Sequence, residues 1–200
     1  MLSAFQSLQS QRRESISVKL GAIFTSRPPS PADFVLEIGC GHGHYLTAFA
    51  TAHPLTTCIG IDIASDRITR AQKKAARARL TNLHFLRAEA SLFLQSLPAS
   101  AKPTRVILLF PDPWPKLRHH KHRVLQESFL TALADRGAHH CQLHFRTDYR
   151  PYFDTAREIV AKSSQWEMVD APWPFEFETV FQRRAPHFDS FTAQLRSTTA

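Results

Sequence analysis

Little in the chain would staple, span or export it. Its three cysteines, Cys40, Cys58 and Cys141, lie far apart and form no C-x-x-C pair. That pattern argues against a disulfide frame or a cysteine zinc site and fits reduced thiols. No apolar strand exceeds the five residues 106–110, whereas a helix crossing a bilayer needs about 20. No basic-then-apolar leader opens the chain, and neither a repeat nor a low-complexity segment is visible. A soluble, cytoplasmic protein is expected. Acidic residues are also short: Lys and Arg number 25 against 17 Asp and Glu, a net charge of +8. Such an excess points to a polyanionic partner or an anionic membrane surface, and composition does not choose between them. With 200 residues, 43% of them hydrophobic, the chain suffices for one cored domain and is too short for two.

What the chain does have is a strict alternation of short apolar runs and helical stretches. Runs at 34–38, 58–63, 83–86, 105–110 and 141–146 are followed by helical patterns at 45–51, 65–79, 91–97, 124–135 and 152–163. Five such units predict an α/β fold with a mostly parallel sheet and helices on both faces. Beyond 163 the pattern changes. Residues 166–169 and 178–183 read as a C-terminal antiparallel hairpin on the sheet edge. Residues 1–31 read as a polar, helical N-terminal arm closed by Pro28-Pro29-Ser30-Pro31, ahead of a domain over 32–200.

Chemistry concentrates at the carboxyl ends of these strands, where open α/β sheets bind ligands. The first strand runs into Glu37-Ile38-Gly39-Cys40-Gly41-His42-Gly43, a tight turn that lets a small ligand approach the backbone. A dinucleotide fingerprint would place its third glycine one residue later, where His44 stands. The second strand ends on Asp62, placed to accept both hydroxyls of a ribose diol. Glu89 follows the third strand, either as a helix cap or as a contact to a nucleobase amino group. The fourth strand ends in Phe110-Pro111-Asp112-Pro113-Trp114-Pro115-Lys116. Three prolines stiffen this loop and bias the residues between them to extended geometry, so Asp112 and Trp114 are held fixed, an acid beside an aromatic as a planar base requires. Lys116, Arg118, Lys121 and Arg123 place four cations within eight positions, a phosphate-binding face or a solvated one. His119, His120, His122, His139 and His140 have no Cys or acid near them at ligand spacing, so no metal is expected.

The acid-x-G-x-G-x-G turn resembles motif I of the class I S-adenosylmethionine-dependent methyltransferases. Taken with the Pro-Asp-Pro-Trp-Pro-Lys loop, the Arg-His-His-Lys run after it, Thr147-Asp148-Tyr149 and Thr179-Val180-Phe181-Gln182, it resembles the tRNA (guanine-N7)-methyltransferase family. The resemblance implies a single Rossmann-like methyltransferase domain, S-adenosylmethionine as cofactor and a guanine in the tRNA variable loop as substrate. It assigns Glu37, Gly39, Gly41, Gly43, Asp62, Glu89 and Asp112 to the cofactor and the chemistry, with Asp112 catalytic. Lys116, Asp148, Thr179 and Gln182 fall to the substrate, and Arg118, Lys121 and Arg123 to RNA phosphates. Asp148 also suits a helix cap ahead of Arg150-Pro151. Two departures stand out. The family usually ends Thr-Lys-Phe-Glu and then Arg-Gly, where this chain has Gln182 and Arg183-Arg184-Ala185, and the arm lacks the family's arginine-glycine-arginine stretch. Two rival readings are a methyltransferase for another RNA or a small molecule, and a non-catalytic RNA-binding protein that retains the fold.

Overall fold

A computed structural model describes residues 4–25, 32–185 and 187–197. Its centre is a seven-stranded sheet of β1 (Ala32–Ile38), β2 (Thr57–Asp62), β3 (Leu83–Arg87), β4 (Ala101–Leu109), β5 (Gln142–Thr147), β6 (Trp166–Val169) and β7 (Asp189–Leu195). The spatial order is β3-β2-β1-β4-β5-β7-β6. The first five strands run parallel, and β7 pairs antiparallel with both β5 and β6. Strand order reverses between β1 and β4, which opens a crevice at their carboxyl ends.

The strands are apolar throughout because both faces are covered. One face packs Phe34, Leu36, Leu108 and Phe145 under α4 (Ala90–Ser96), α5 (Glu127–Arg136) and α6 (Arg150–Lys162). The other packs Val35, Cys58 and Ile107 under α2 (His44–Ala52) and α3 (Ser65–Arg77). Two helices do not reach across the whole second face. Trp173, Phe175 and Phe177, from the segment after β6, cover the remainder. Phe175 sets its ring edge-on to Tyr45 and Phe49 of α2, at 6.1 and 5.7 Å.

The terminal hairpin exists, but its second strand is Asp189–Leu195, not 178–183. Residues 178–183 instead lead into a short 3-10 helix, Gln182–Arg184. The basic stretch after the proline loop is likewise a 3-10 helix, Leu117–His122, which precedes α5.

The N-terminal α1 (Ala4–Thr25) lies against α4. Ile16 and Leu20 are buried in the main core, and Ser17 Oγ donates to the Ser96 carbonyl at 3.3 Å. The Pro28–Pro31 boundary lies outside the described residues. Leu20 is fully buried, so Leu20→Ala should cost about 2–4 kcal/mol, the transfer term plus a cavity. Urea denaturation of the whole protein reads this, and an unchanged midpoint would mean that α1 is not part of the cooperative unit.

Candidate active site

Two loops meet at the crevice between β1 and β4, and the first is the glycine turn. Gly39, Gly41 and Gly43 all have left-handed φ, at 74, 52 and 68°. A Cβ on Gly43 would lie 2.4 Å from the Phe85 ring, so this glycine allows α2 to close onto β3. Over Gly39 and Gly41 no atom comes within 4 Å of such a Cβ, and that space is open. Asp62, 5% exposed, ties the turn to β2: Gly41 N–H donates to Oδ2 at 3.0 Å and Ala64 N–H to Oδ1 at 2.8 Å. Each oxygen keeps an acceptor position. Arg67 Nη1 stands 3.7 Å from Oδ2.

The second loop is the proline segment after β4. Phe110 and Trp114, each just before a proline, are left-handed at φ 49 and 43° rather than extended. For non-glycine residues that conformation costs about 1–3 kcal/mol each and persists only where its surroundings impose it. Part of the imposing is done by Arg123. It is 4% exposed, its Nε donates to the Pro113 carbonyl at 2.9 Å, and its guanidinium lies 4.6 Å from the Tyr152 ring centre. Burial lowers its pKa. The expectation that Arg123 shares an exposed cationic face with its neighbours is therefore corrected: it latches the loop to α6. Lys116, Arg118 and Lys121 are exposed. Trp114 gathers the His119 and His122 rings at 5.7 and 5.0 Å.

Between the loops lies a cleft of about 570 Å³, lined by Gly39, Asp62, Glu89, Asp112, Trp114 and Lys121 among others. Residues 31–181 match a family described as putative methyltransferase. A tRNA (guanine-N(7)-)-methyltransferase of Nitrosomonas europaea is 34% identical over 155 residues, 74% of this chain and 69% of that protein. The chain belongs to the tRNA (guanine-N7)-methyltransferase family. A second relative of that name, from Chromohalobacter salexigens, is 33% identical over 153 residues, 76% of this chain. The chain spans 61% of that relative's length. In fold it is similar to the crystal structure of a precorrin-6y C5,15-methyltransferase from Geobacter metallireducens, with TM-score 0.56 at 14% identity over 92% of this chain and 86% of that one.

The residues that the family resemblance singles out divide by position. Gly39, Asp62, Glu89, Asp112, Lys121 and the buried Arg123 line the cleft, with Gly41 hydrogen-bonded to Asp62 at its edge. The Glu89 backbone caps α4 while its side chain makes no cap bond, which leaves the carboxylate free. Asp148 is exposed, and no side chain caps α6. Thr179 Oγ1 accepts from the Gln182 N–H at 3.1 Å, inside the segment that covers the second sheet face. Neither Thr179, Gln182, Asp148 nor Lys116 lines the cleft. Sequence reasoning missed Arg67 and Phe129, both on its wall. Nothing distinguishes them in sequence, because α3 carries several bases and α5 several apolar residues. Among the described residues no three His, Cys, Asp or Glu side chains gather as metal ligands, and no helix is long and apolar enough to cross a membrane.

Glu37 sits behind the turn, 3% exposed, with Oε2 lacking a hydrogen-bond partner among the described residues. Burial pushes its carboxyl up to about 8, the Leu46 N–H opposing and the Asp62 charge adding to the rise. The unfolded chain ionises this group near 4.5. Between those two values the native state holds the extra proton, so stability falls as pH rises and levels off above about 8. The neutral isostere Glu37→Gln should match the parent near pH 5 and exceed it near pH 8.5, each pKa unit being worth about 1.4 kcal/mol. Urea denaturation without cofactor at the two pH values measures the difference, and parallel pH dependences would mean that Glu37 is ionised in the native protein.

Proposed function

We propose that this protein transfers the methyl group of S-adenosylmethionine to N7 of a guanine in the tRNA variable loop. The observation that carries this reading is the meeting of Asp62 and Asp112, on two constrained loops, in one cleft at the strand-order switch. The names of the relatives add to it. Among the described residues the buried Cys40, Cys58 and Cys141 form no disulfide, which suits a reducing compartment such as the cytoplasm.

The residues present fit the cofactor. Asp62 has an acceptor position left on each oxygen for a ribose diol, the surface over Gly39 and Gly41 is open, and the Glu89 carboxylate is free at the cleft. When bound, the cofactor supplies an electrophilic sulfonium methyl. Guanine N7 offers it an in-plane lone pair and carries no proton, so no strong base is needed and alignment supplies most of the rate. Asp112 accepts from the guanine N1–H and N2 amino edge, which selects guanine over adenine and offsets the positive charge that develops on the ring. Its loop is already held in its costly backbone form, so little reorganisation remains for the reaction. Lys116, Arg118 and Lys121 meet phosphates, while Asp148, Thr179 and Gln182 face the substrate side.

Unmodified tRNA incubated with labelled S-adenosylmethionine, followed by nuclease mapping of the product, should yield 7-methylguanosine; methylation confined to another atom or another substrate would overturn the reading. Asp112→Ala should cut the single-turnover rate about a hundredfold or more while cofactor affinity changes little, as loss of a positioned transition-state contact does. Wild-type rates in that variant would make the loop structural. Neutralising Lys116, Arg118 and Lys121 together should lower the log–log salt slope of tRNA binding by about 2–3, at roughly 0.7–0.9 per phosphate contact. An unchanged slope, measured by filter binding, would assign those cations to a merely solvated face.

A further inference from the structure

Arg146, on β5, is buried at 3% exposure on the sheet face covered by the C-terminal segment. Its guanidinium carbon lies 3.9 Å from the Trp173 ring centre and 4.4 Å from that of Phe188, so it is sandwiched between them. Nη1 and Nη2 donate in parallel to Glu176 Oε2 and Oε1, at 3.3 and 3.1 Å. Energetically this is a poor bargain. Among the described residues Nε is buried without a partner, and the Glu176 side chain is 67% exposed, so solvent screens the pair. An apolar side chain would fill the same space at less cost.

What the arrangement supplies is position. Trp173 and Glu176 precede residues 179–182 and Phe188 follows them, so one guanidinium holds both ends of the segment that carries Thr179 and Gln182. Phe181 and Phe188 set their rings 5.0 and 5.9 Å from Phe110, the first residue of the Asp112 loop. Phe110 N–H in turn donates to the Arg146 carbonyl at 2.8 Å. The C-terminal segment and the Asp112 loop are thus referenced to the same residue.

We propose that Arg146 and Glu176 are positioning residues that set the 179–182 segment against the Asp112 loop for the tRNA substrate. The inference rests on the methyl transfer to tRNA proposed above. Its test is Glu176→Gln in the full chain, with Arg146→Lys as a second variant that keeps the charge but loses the fork and the stacking surface. Glu176 is exposed, so Glu176→Gln is expected to melt with the parent. KM for tRNA should rise about fivefold to tenfold, the scale of one charge-assisted contact, with kcat falling less and cofactor affinity unchanged. Trypsin cleavage after the exposed Arg183 and Arg184 should quicken by a similar factor. Arg146→Lys should move the same quantities further. An unchanged KM in Glu176→Gln, or a KM that rises only alongside a lowered melting temperature, overturns the proposal. If the parent methylates no tRNA, the functional reading has failed on its own account. Cleavage then decides the clasp: faster cutting at an unchanged melting temperature supports it and an unchanged rate overturns it.

Discussion

A sheet buried on both faces has to be covered on both faces, and here part of one cover is not a helix. Helices α2 and α3 leave the β4–β5 end of the second face bare, and Trp173, Phe175 and Phe177 close it. The segment that carries Thr179 and Gln182 is thereby anchored in the core of the protein. Its Phe175 contacts Tyr45 and Phe49 of the very helix that the glycine turn opens. Helix α2 and the C-terminal segment share one packing problem, and neither can shift far alone because close-packed interiors tolerate few intermediate arrangements.

Much of the fold was legible because parallel, doubly covered strands are nearly continuous apolar runs. The runs at 34–38, 58–63 and 105–110 announce the crevice directly. The start of β4 was hidden by Lys102, Pro103 and Thr104, polar or strand-breaking residues: the first two pair with Asp33 and Phe34 of β1, and Thr104 is passed over at the register shift between Phe34 and Val35. The misplaced strand at 178–183 has a different cause. Glu178-Thr179-Val180-Phe181 carries good strand formers, yet Phe191 and Ala193 have the alternation that fits the core face of β5, and tertiary pairing decided between them. Arg123 shows where reading charge alone stops. Nothing in a basic run reveals which member turns inward, since that depends on Tyr152, 29 positions away, presenting its ring to the guanidinium.

The two carboxylates at the glycine turn show how environment separates residues of one chemical type. Asp62 is nearly as buried as Glu37, but two backbone N–H groups meet its oxygens. Glu37 has one oxygen with no partner among the described residues and holds its proton to about 8. A neutral Glu37 places no like charge beside the Asp62 side chain, which lines the cleft.

The reaction proposed above, at guanine N7, asks little of acid–base chemistry and much of geometry, and the central loop suits it. Prolines at 111, 113 and 115 deny the intervening residues the right-handed helical conformation. Phe110 and Trp114 go further, into the left-handed region. Such a loop would relax if it were free. It does not, because Arg123 grips the Pro113 carbonyl from one side and the Arg146 carbonyl takes the Phe110 N–H from the other. Two arginines that a charge count would assign to RNA are therefore spent inside the protein: the Arg123 guanidinium holds the strand of chain that presents Asp112, and the Arg146 guanidinium holds the C-terminal segment while its backbone carbonyl meets that strand. The cost of burying them, and of the strained backbone between, is met during folding, before any substrate arrives. For the proposed transfer, which depends on alignment rather than proton abstraction, that is the stage at which the order is most useful.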